Sequence, residues 1–137
     1  MSGPRDSEEK REQGVRFFAD VMGSENADGM RREIAEQRRF GSETATFSAD
    51  FAFGTIWERP GLARRERSLV VLGMLMALRQ TDEIKYHVRI ALANGLTVAE
   101  LEEVLYQALP YAGFPAANTA KVAMTEALRE LGELNQD

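Results

Sequence analysis

The single histidine of this 137-residue chain, His87, follows Glu83 by four residues in the stretch TDEIKYHVRIALANG. In a helix, residues four apart lie on one face, so this spacing places the carboxylate beside the imidazole. Ile90 and Asn94 fall on the same arc, which is the apolar side of the helix. A carboxylate in this position can orient the ring and stabilise imidazolium for general acid–base chemistry. The pair is therefore either a satisfied core pair or a catalytic one.

Four arginines precede the most apolar segment of the chain and are candidates for binding an anion. Arg59 and Arg67 lie nearest the apolar segments, where a planar guanidinium can bind a substrate carboxylate through two hydrogen bonds. Arg64 and Arg65 are expected to be solvated, as most such clusters are. The arginine pattern therefore favours a small carboxylate as ligand and leaves its identity open.

The remaining chemistry-bearing residues are ambiguous. Trp57 and Tyr111 could each be core, oligomer interface or pocket wall. Glu83 and His87 lack an obvious third ligand for a metal, so no metal site is predicted. The sequence contains no glycine-rich phosphate loop and no nucleophile elbow. These residues alone do not decide between functions.

Composition excludes several classes of function. Seventeen basic and 22 acidic residues give a net charge of −5, so no basic excess is available for binding nucleic acid. The absence of cysteine excludes disulfides, thiolate metal sites and cysteine catalysis. The apolar run 69–78 is too short for a bilayer, which needs about 20 residues. The charged N-terminus shows no signal peptide. We expect a cytoplasmic protein with no membrane partner.

The elements that must position these residues are helices. No stretch shows sustained alternation of period two, and the pattern predicts one all-α domain over 1–137 with about six or seven helices. The segment 68–78 is apolar nearly all round and is predicted to be the most buried helix. The other predicted elements are a helix over 6–22, a polar loop over 24–29, a charged helix to about 40, an aromatic-rich helix over 42–58, the histidine helix, a helix capped by Thr97, and a last helix beginning at Pro115.

Four stretches, taken in order, resemble the carboxymuconolactone decarboxylase family, and the resemblance covers roughly residues 43–125. They are FGTIWERPGL, RRERSLVVLGMLMAL, EIKYHVRIALANGLTVAELEEVL and YAGFPAANTA. The resemblance implies a helical subunit that assembles into a homo-oligomer, a hexamer or a trimer. A sister branch of this alkyl-hydroperoxidase-like superfamily uses a Cys-x-x-Cys-x-x-x-His motif. In this chain Glu83 stands where the second cysteine would be, so peroxidase activity by that route is excluded.

The resemblance implies a lyase that decarboxylates a carboxylated lactone without a cofactor, in the β-ketoadipate route of aromatic catabolism. Loss of CO2 leaves a dienolate that the site must stabilise and then protonate at carbon. The resemblance assigns proton donation to His87, with Glu83 orienting it or acting as the acid. The implied substrate-binding residues are Arg67, Arg59, Trp57, Tyr111 and Tyr86. Two alternatives stay open: another acid–base reaction such as isomerisation or cyclisation, and a non-catalytic oligomerisation subunit.

Overall fold

The computed structural model describes residues 4–136, and every regular element in this range is a helix. The predicted all-α fold class is therefore confirmed. No helix within these residues is long and apolar enough to cross a membrane. Backbone packing divides the chain into two compact units, Met1–Leu62 and Ala63–Asp137, called here the N-terminal and the C-terminal unit. That the whole chain forms one domain stays a prediction.

The N-terminal unit is built on a close contact between its first and last helices. Its elements are α1 (Pro4–Met22), α2 (Ser24–Glu36), α3 (Glu43–Phe47) and a π-helix (Ser48–Ile56). A β-carbon at Gly14 of α1 would overlap the carbonyl oxygen of Ala49, and one at Gly54 would overlap that of Lys10. The two backbones therefore touch where both helices carry glycine, a contact that any side chain would prevent.

An aromatic cluster fills the rest of this interface. The ring of Phe17 lies 5.1 Å from the ring of Phe53 and 5.1 Å from that of Trp57, while Phe18 lies 5.8 Å from Phe53. All four side chains are buried. These distances are typical of stacked and tilted ring pairs, which add to the burial of apolar area. Of the aromatic side chains in the predicted 42–58 helix, Phe53 and Trp57 thus pack in the core, whereas Phe47 and Phe51 are exposed.

The C-terminal unit is a bundle of four helices joined by short turns. They are α4 (Arg64–Ala77), α5 (Thr81–Ala93), α6 (Val98–Ala112) and α7 (Phe114–Glu130). Their buried apolar side chains form one continuous core: Leu72, Met76, Ile84, Val88, Ala91, Leu96, Leu101, Ala120, Ala123, Met124, Ala127 and Leu128. A full capping box between Thr97 and Glu100 opens α6, as predicted.

Two local predictions are wrong. The predicted loop over 24–29 is helical, because Gly23, at φ 91°, turns the chain directly from α1 into α2. Helix α2 then ends at Glu36 rather than near residue 40. Helix α4 is not the most buried helix: Met74 is 54% exposed and Leu78, which follows the helix, is 67% exposed. Only one stripe of this helix faces the bundle, and α7 buries a longer row of residues. The 42–58 helix is present but is π-wound over its second half.

Candidate active site

Helix α5 carries the candidate acid–base pair and is held by its other side chains. Asp82 and Glu83 lie in its first turn, where carboxylates interact favourably with the helix dipole. Ile84 and Val88 are buried in the core of the bundle. Gly95, at φ 97°, ends the helix in the left-handed conformation that favours glycine. The buried row fixes the rotation of α5, and this rotation decides where the polar side chains point.

Glu83 and His87 lie side by side, as their spacing predicts. Their closest atoms, Oε2 of Glu83 and Nε2 of His87, are 4.0 Å apart. This distance allows an electrostatic interaction but exceeds that of a hydrogen bond. The Glu83 side chain is 60% exposed and that of His87 only 12%. The carboxylate is therefore solvated, while the imidazole beside it extends inward.

Burial governs the protonation of His87. Its Nδ1 atom is fully buried. Loss of solvent lowers the pKa of the imidazole from its ordinary 6.5 to about 4, because burial disfavours the charged form. In the free subunit the ring is therefore neutral at pH 7.

Tyr86 adjoins His87 on α5, and the two rings meet edge to face with centroids 5.5 Å apart. Burial raises the pKa of the Tyr86 phenol to about 12, with a smaller contribution from the negative charge of Glu83. The phenol therefore stays protonated over the physiological range and can donate a hydrogen bond. Tyr86, Glu83 and His87 form a compact polar group on one helix.

Two further predicted site residues belong to the C-terminal unit. Arg67 is half-buried in the first turn of α4. Tyr111, 86% exposed near the end of α6, lines an apolar groove of about 450 Å³ between α4 and α6. The other lining residues are Leu69, Gly73, Ala77, Val104, Gln107, Ala108 and Ala112, and neither Glu83 nor His87 is among them. Within this unit Tyr111 thus lines a groove that the acid–base pair does not reach.

The last two predicted site residues belong to the N-terminal unit. Trp57 directly follows the π-helix and is buried against Phe17. Arg59 is exposed in the turn that follows, where its backbone N–H donates to the carbonyl of Ile56 at 3.2 Å. Inside its own unit Trp57 is a core residue, and Arg59 lies at the surface.

The structure shows one polar contact near these residues that the sequence analysis does not predict. Ser68, which directly follows Arg67, is 1% exposed, and its hydroxyl oxygen accepts a hydrogen bond of 3.0 Å from the side-chain amide of Asn94. Two signals point to it. Serine interrupts the apolar character of α4, and Asn94 lies on the arc of α5 that carries Glu83 and His87.

Comparison with known proteins gives consistent matches. The sequence profile of the carboxymuconolactone decarboxylase family matches residues 42–127. The chain is 35% identical over 125 residues to 4-carboxymuconolactone decarboxylase of Acinetobacter baylyi, an alignment that covers 91% of each chain. It is 32% identical over 120 residues to nitrosuccinic acid decarboxylase of Metarhizium robertsii, covering 88% of this chain and 82% of that protein. All seven predicted site residues lie within the range that the profile matches.

Proposed function

This chain belongs to the carboxymuconolactone decarboxylase family, and we propose that it is a carboxy-lyase that removes CO2 from a small carboxylated lactone or a related polycarboxylate without a cofactor. The two relatives are named as decarboxylases of 4-carboxymuconolactone and of nitrosuccinic acid. Each compound carries an electron-withdrawing group, a lactone carbonyl or a nitro group, that can accept the electron pair left by CO2. The proposed substrate class is a small polycarboxylate with such a group.

The observation that carries this proposal is the mostly buried imidazole of His87 with a carboxylate 4.0 Å away. With a carboxylated lactone, the bond between the carboxylate carbon and the ring breaks. Its electron pair moves through the ring double bond onto the lactone carbonyl oxygen, giving a dienolate. His87 then delivers a proton to carbon, and Glu83 orients the ring and stabilises its charged form.

The low pKa of His87 suits this sequence of events. A neutral imidazole does not add a positive charge to the empty site. When a carboxylate or a dienolate lies beside it, the opposite charge raises the pKa of the ring, and the same burial that lowered this pKa strengthens the attraction. The site thus takes up a proton when negative charge is present to be neutralised.

Two residues of the C-terminal unit are proposed to bind substrate. Arg67 pairs with a substrate carboxylate, since a guanidinium matches the geometry of that group. Tyr86, held protonated by its raised pKa, donates a hydrogen bond to a substrate oxygen. Arg59, Trp57 and Tyr111 stay predicted substrate-binding residues.

We also propose that the subunit forms a homo-oligomer, a hexamer or a trimer. The many large apolar side chains that the C-terminal unit exposes, among them Met74, Leu78, Tyr111 and Phe114, support this, because monomers in water rarely expose so much apolar surface. Light scattering measures the mass directly, and a value of 15.3 kDa at micromolar concentration would contradict the proposal.

The test is CO2 release from 4-carboxymuconolactone and from nitrosuccinic acid by purified wild type, His87→Gln, Glu83→Gln and the double variant. Each single variant is expected to lose about 10²-fold or more in turnover, the usual contribution of a positioned acid or base. Because the two residues act as a unit, the double variant loses little more than either single one.

Lys85→Gln is the matched control. Lys85 lies on the same helix but its ammonium pairs with Glu126 of α7, so its replacement leaves turnover unchanged. Full turnover in folded His87→Gln would contradict the assigned role of the imidazole. Absence of CO2 release from both compounds by the wild type would contradict the proposed substrate class.

A further inference from the structure

A buried polar contact connects α4 to α5. The side-chain amide nitrogen of Asn94 donates to the hydroxyl of Ser68 at 3.0 Å, and it lies 3.5 Å from the backbone carbonyl oxygen of Arg64. Ser68 is 1% exposed. One amide group therefore holds both ends of the first turn of α4, from residue 64 to residue 68.

The surroundings make this contact specific. The neighbouring side chains between α4 and α5, including Leu72, Val88 and Ala91, are apolar and fully buried. A sliding movement of one helix along the other would break the hydrogen bond between Asn94 and Ser68 in a largely apolar environment, which is unfavourable. Apolar packing alone tolerates small shifts more easily. The hydrogen bond therefore fixes the register of α4 against α5.

This register joins two groups of proposed site residues. Asn94 ends α5, the helix whose polar side chains include Glu83 and His87. Ser68 is the immediate neighbour of Arg67 in α4. The contact thus holds the turn that carries the proposed carboxylate-binding guanidinium against the helix that carries the proposed proton donor.

We propose that Ser68 and Asn94 are positioning residues, whose hydrogen bond holds Arg67 at the distance from His87 that a polycarboxylate substrate requires. This inference rests on the proposed function. His87 and Glu83 share one helix, so their mutual geometry does not depend on the contact. Loss of the contact therefore weakens substrate binding and leaves the proton-transfer step nearly unchanged.

The test compares Ser68→Ala, Asn94→Ala and the double variant in steady-state decarboxylation of 4-carboxymuconolactone. KM is expected to rise about tenfold in each single variant and no further in the double variant, while kcat stays within about twofold of wild type. Thr97→Ala is the matched control. It removes the hydroxyl that accepts a hydrogen bond from the backbone N–H of Glu100 at the start of α6, and it leaves α4 and α5 intact. It is expected to lower Tm without changing KM. A fall in Tm with unchanged KM in the Ser68 and Asn94 variants would overturn the inference.

A binding measurement separates this inference from the proposed function. Calorimetry with muconate, a dicarboxylate, is performed on wild type, Ser68→Ala, Arg67→Gln and their combination. Both single variants are expected to bind about tenfold more weakly, and the combination no more weakly than Arg67→Gln, because Ser68 acts through Arg67. Additive losses would overturn the positioning role even if decarboxylation is observed. Non-additive losses without decarboxylation of either named compound would support the positioning role and contradict the proposed reaction.

Discussion

The two units of this chain fill their interiors with different groups. In the N-terminal unit, glycines at residues 14 and 54 let two helix backbones touch, and stacked aromatic rings fill the remaining space. In the C-terminal unit, aliphatic side chains form the core, and the polar side chains of Ser68 and His87 are buried among the helices.

This difference distinguishes burial that stabilises the fold from burial of a side chain that can take part in a reaction. Close backbone contact and ring stacking stabilise a fold and leave no titratable group in the interior. Burial of an imidazole lowers its pKa and costs stability, so such a group persists where it serves a purpose. The contrast therefore supports our proposal that the acid–base chemistry lies in the C-terminal unit, and each prediction below tests one side of it.

The largest effect is expected at the backbone contact of the N-terminal unit. Gly54→Ala places a methyl group against carbonyl oxygens from both α1 and the π-helix, neither of which can move independently. The helices must separate, which also disturbs the rings of Phe17 and Phe53. We expect a loss of at least about 4 kcal/mol in the free energy of unfolding. Denaturant titration followed by the fluorescence of Trp57, the single tryptophan, measures it.

Gly29→Ala is the control for this substitution. Gly29 lies in α2 of the same unit, where the nearest atom to an added β-carbon is a flexible Arg32 nitrogen at 3.8 Å. Alanine there is expected to be neutral or to stabilise the helix by up to about 1 kcal/mol. Equal effects of the two substitutions would show that the close backbone contact does not contribute to stability.

The next effect concerns the buried imidazole of the C-terminal unit. The pKa of His87 is about 4 in the folded chain and near its ordinary 6.5 when unfolded, so between these pH values the unfolded chain binds a proton that the folded chain does not. Stability is therefore fully present above pH 6.5 and decreases as the pH falls towards 4. This group alone contributes a loss of about 3 kcal/mol.

The measurement is the free energy of unfolding of wild type and His87→Gln at several pH values from 7 to 4. Carboxylates such as Glu12, whose pKa is lowered by the hydrogen bonds from Arg31, also lose stabilisation in acid but do so equally in both proteins. The difference between the two curves isolates His87. Parallel curves would show that the imidazole is solvated rather than buried.

The fold was predictable from the sequence where local signals act alone. Apolar periodicity, the capping box at Thr97 and the break at Gly95 correctly gave the helices of the C-terminal unit. The polar composition of residues 24–29 predicts a loop, whereas in the structure these residues are helical, with the Asn26 side chain bonded to the carbonyl of Met22 and Ala27 buried. The exposure of Met74 was not predictable, because the apolar type of a residue does not determine whether other parts of the same chain bury it.

The candidate site was predictable in part for a similar reason. A spacing of four residues correctly places Glu83 beside His87, since helix geometry alone determines this. The degree of burial, and therefore the pKa of the ring, depends on neighbouring helices that sequence spacing does not specify. The contact between Ser68 and Asn94 joins residues 26 positions apart and requires the register of two helices. For Trp57 the residue type alone is misleading. A tryptophan suits a pocket wall, but the ring of Trp57 packs against Phe17 in the core of its own unit.

The smallest expected effects on the free energy of unfolding come from removing one ion pair in each unit. In the N-terminal unit, the guanidinium of Arg11 donates two hydrogen bonds of 2.9 Å each to the carboxylate of Asp50, joining α1 to the π-helix. Asp50→Asn removes the charge and one acceptor at nearly constant volume. We expect a loss of about 1 kcal/mol in the free energy of unfolding, at the upper end for a partly exposed pair. The loss should shrink in high salt.

Lys85→Gln supplies the comparison in the C-terminal unit and is expected to leave the free energy of unfolding unchanged within error. The ammonium of Lys85 lies only 2.6 Å from the carboxylate of Glu126, a shorter distance than in the Arg11 pair. It nevertheless makes a single contact through a flexible, solvated chain, and the entropy of holding that chain offsets the attraction. In the Arg11 pair, by contrast, two parallel hydrogen bonds from the planar guanidinium fix the orientation of both side chains. If distance rather than geometry determined the strength, Lys85→Gln would be the more destabilising change, and measuring both variants in low and high salt decides between these explanations.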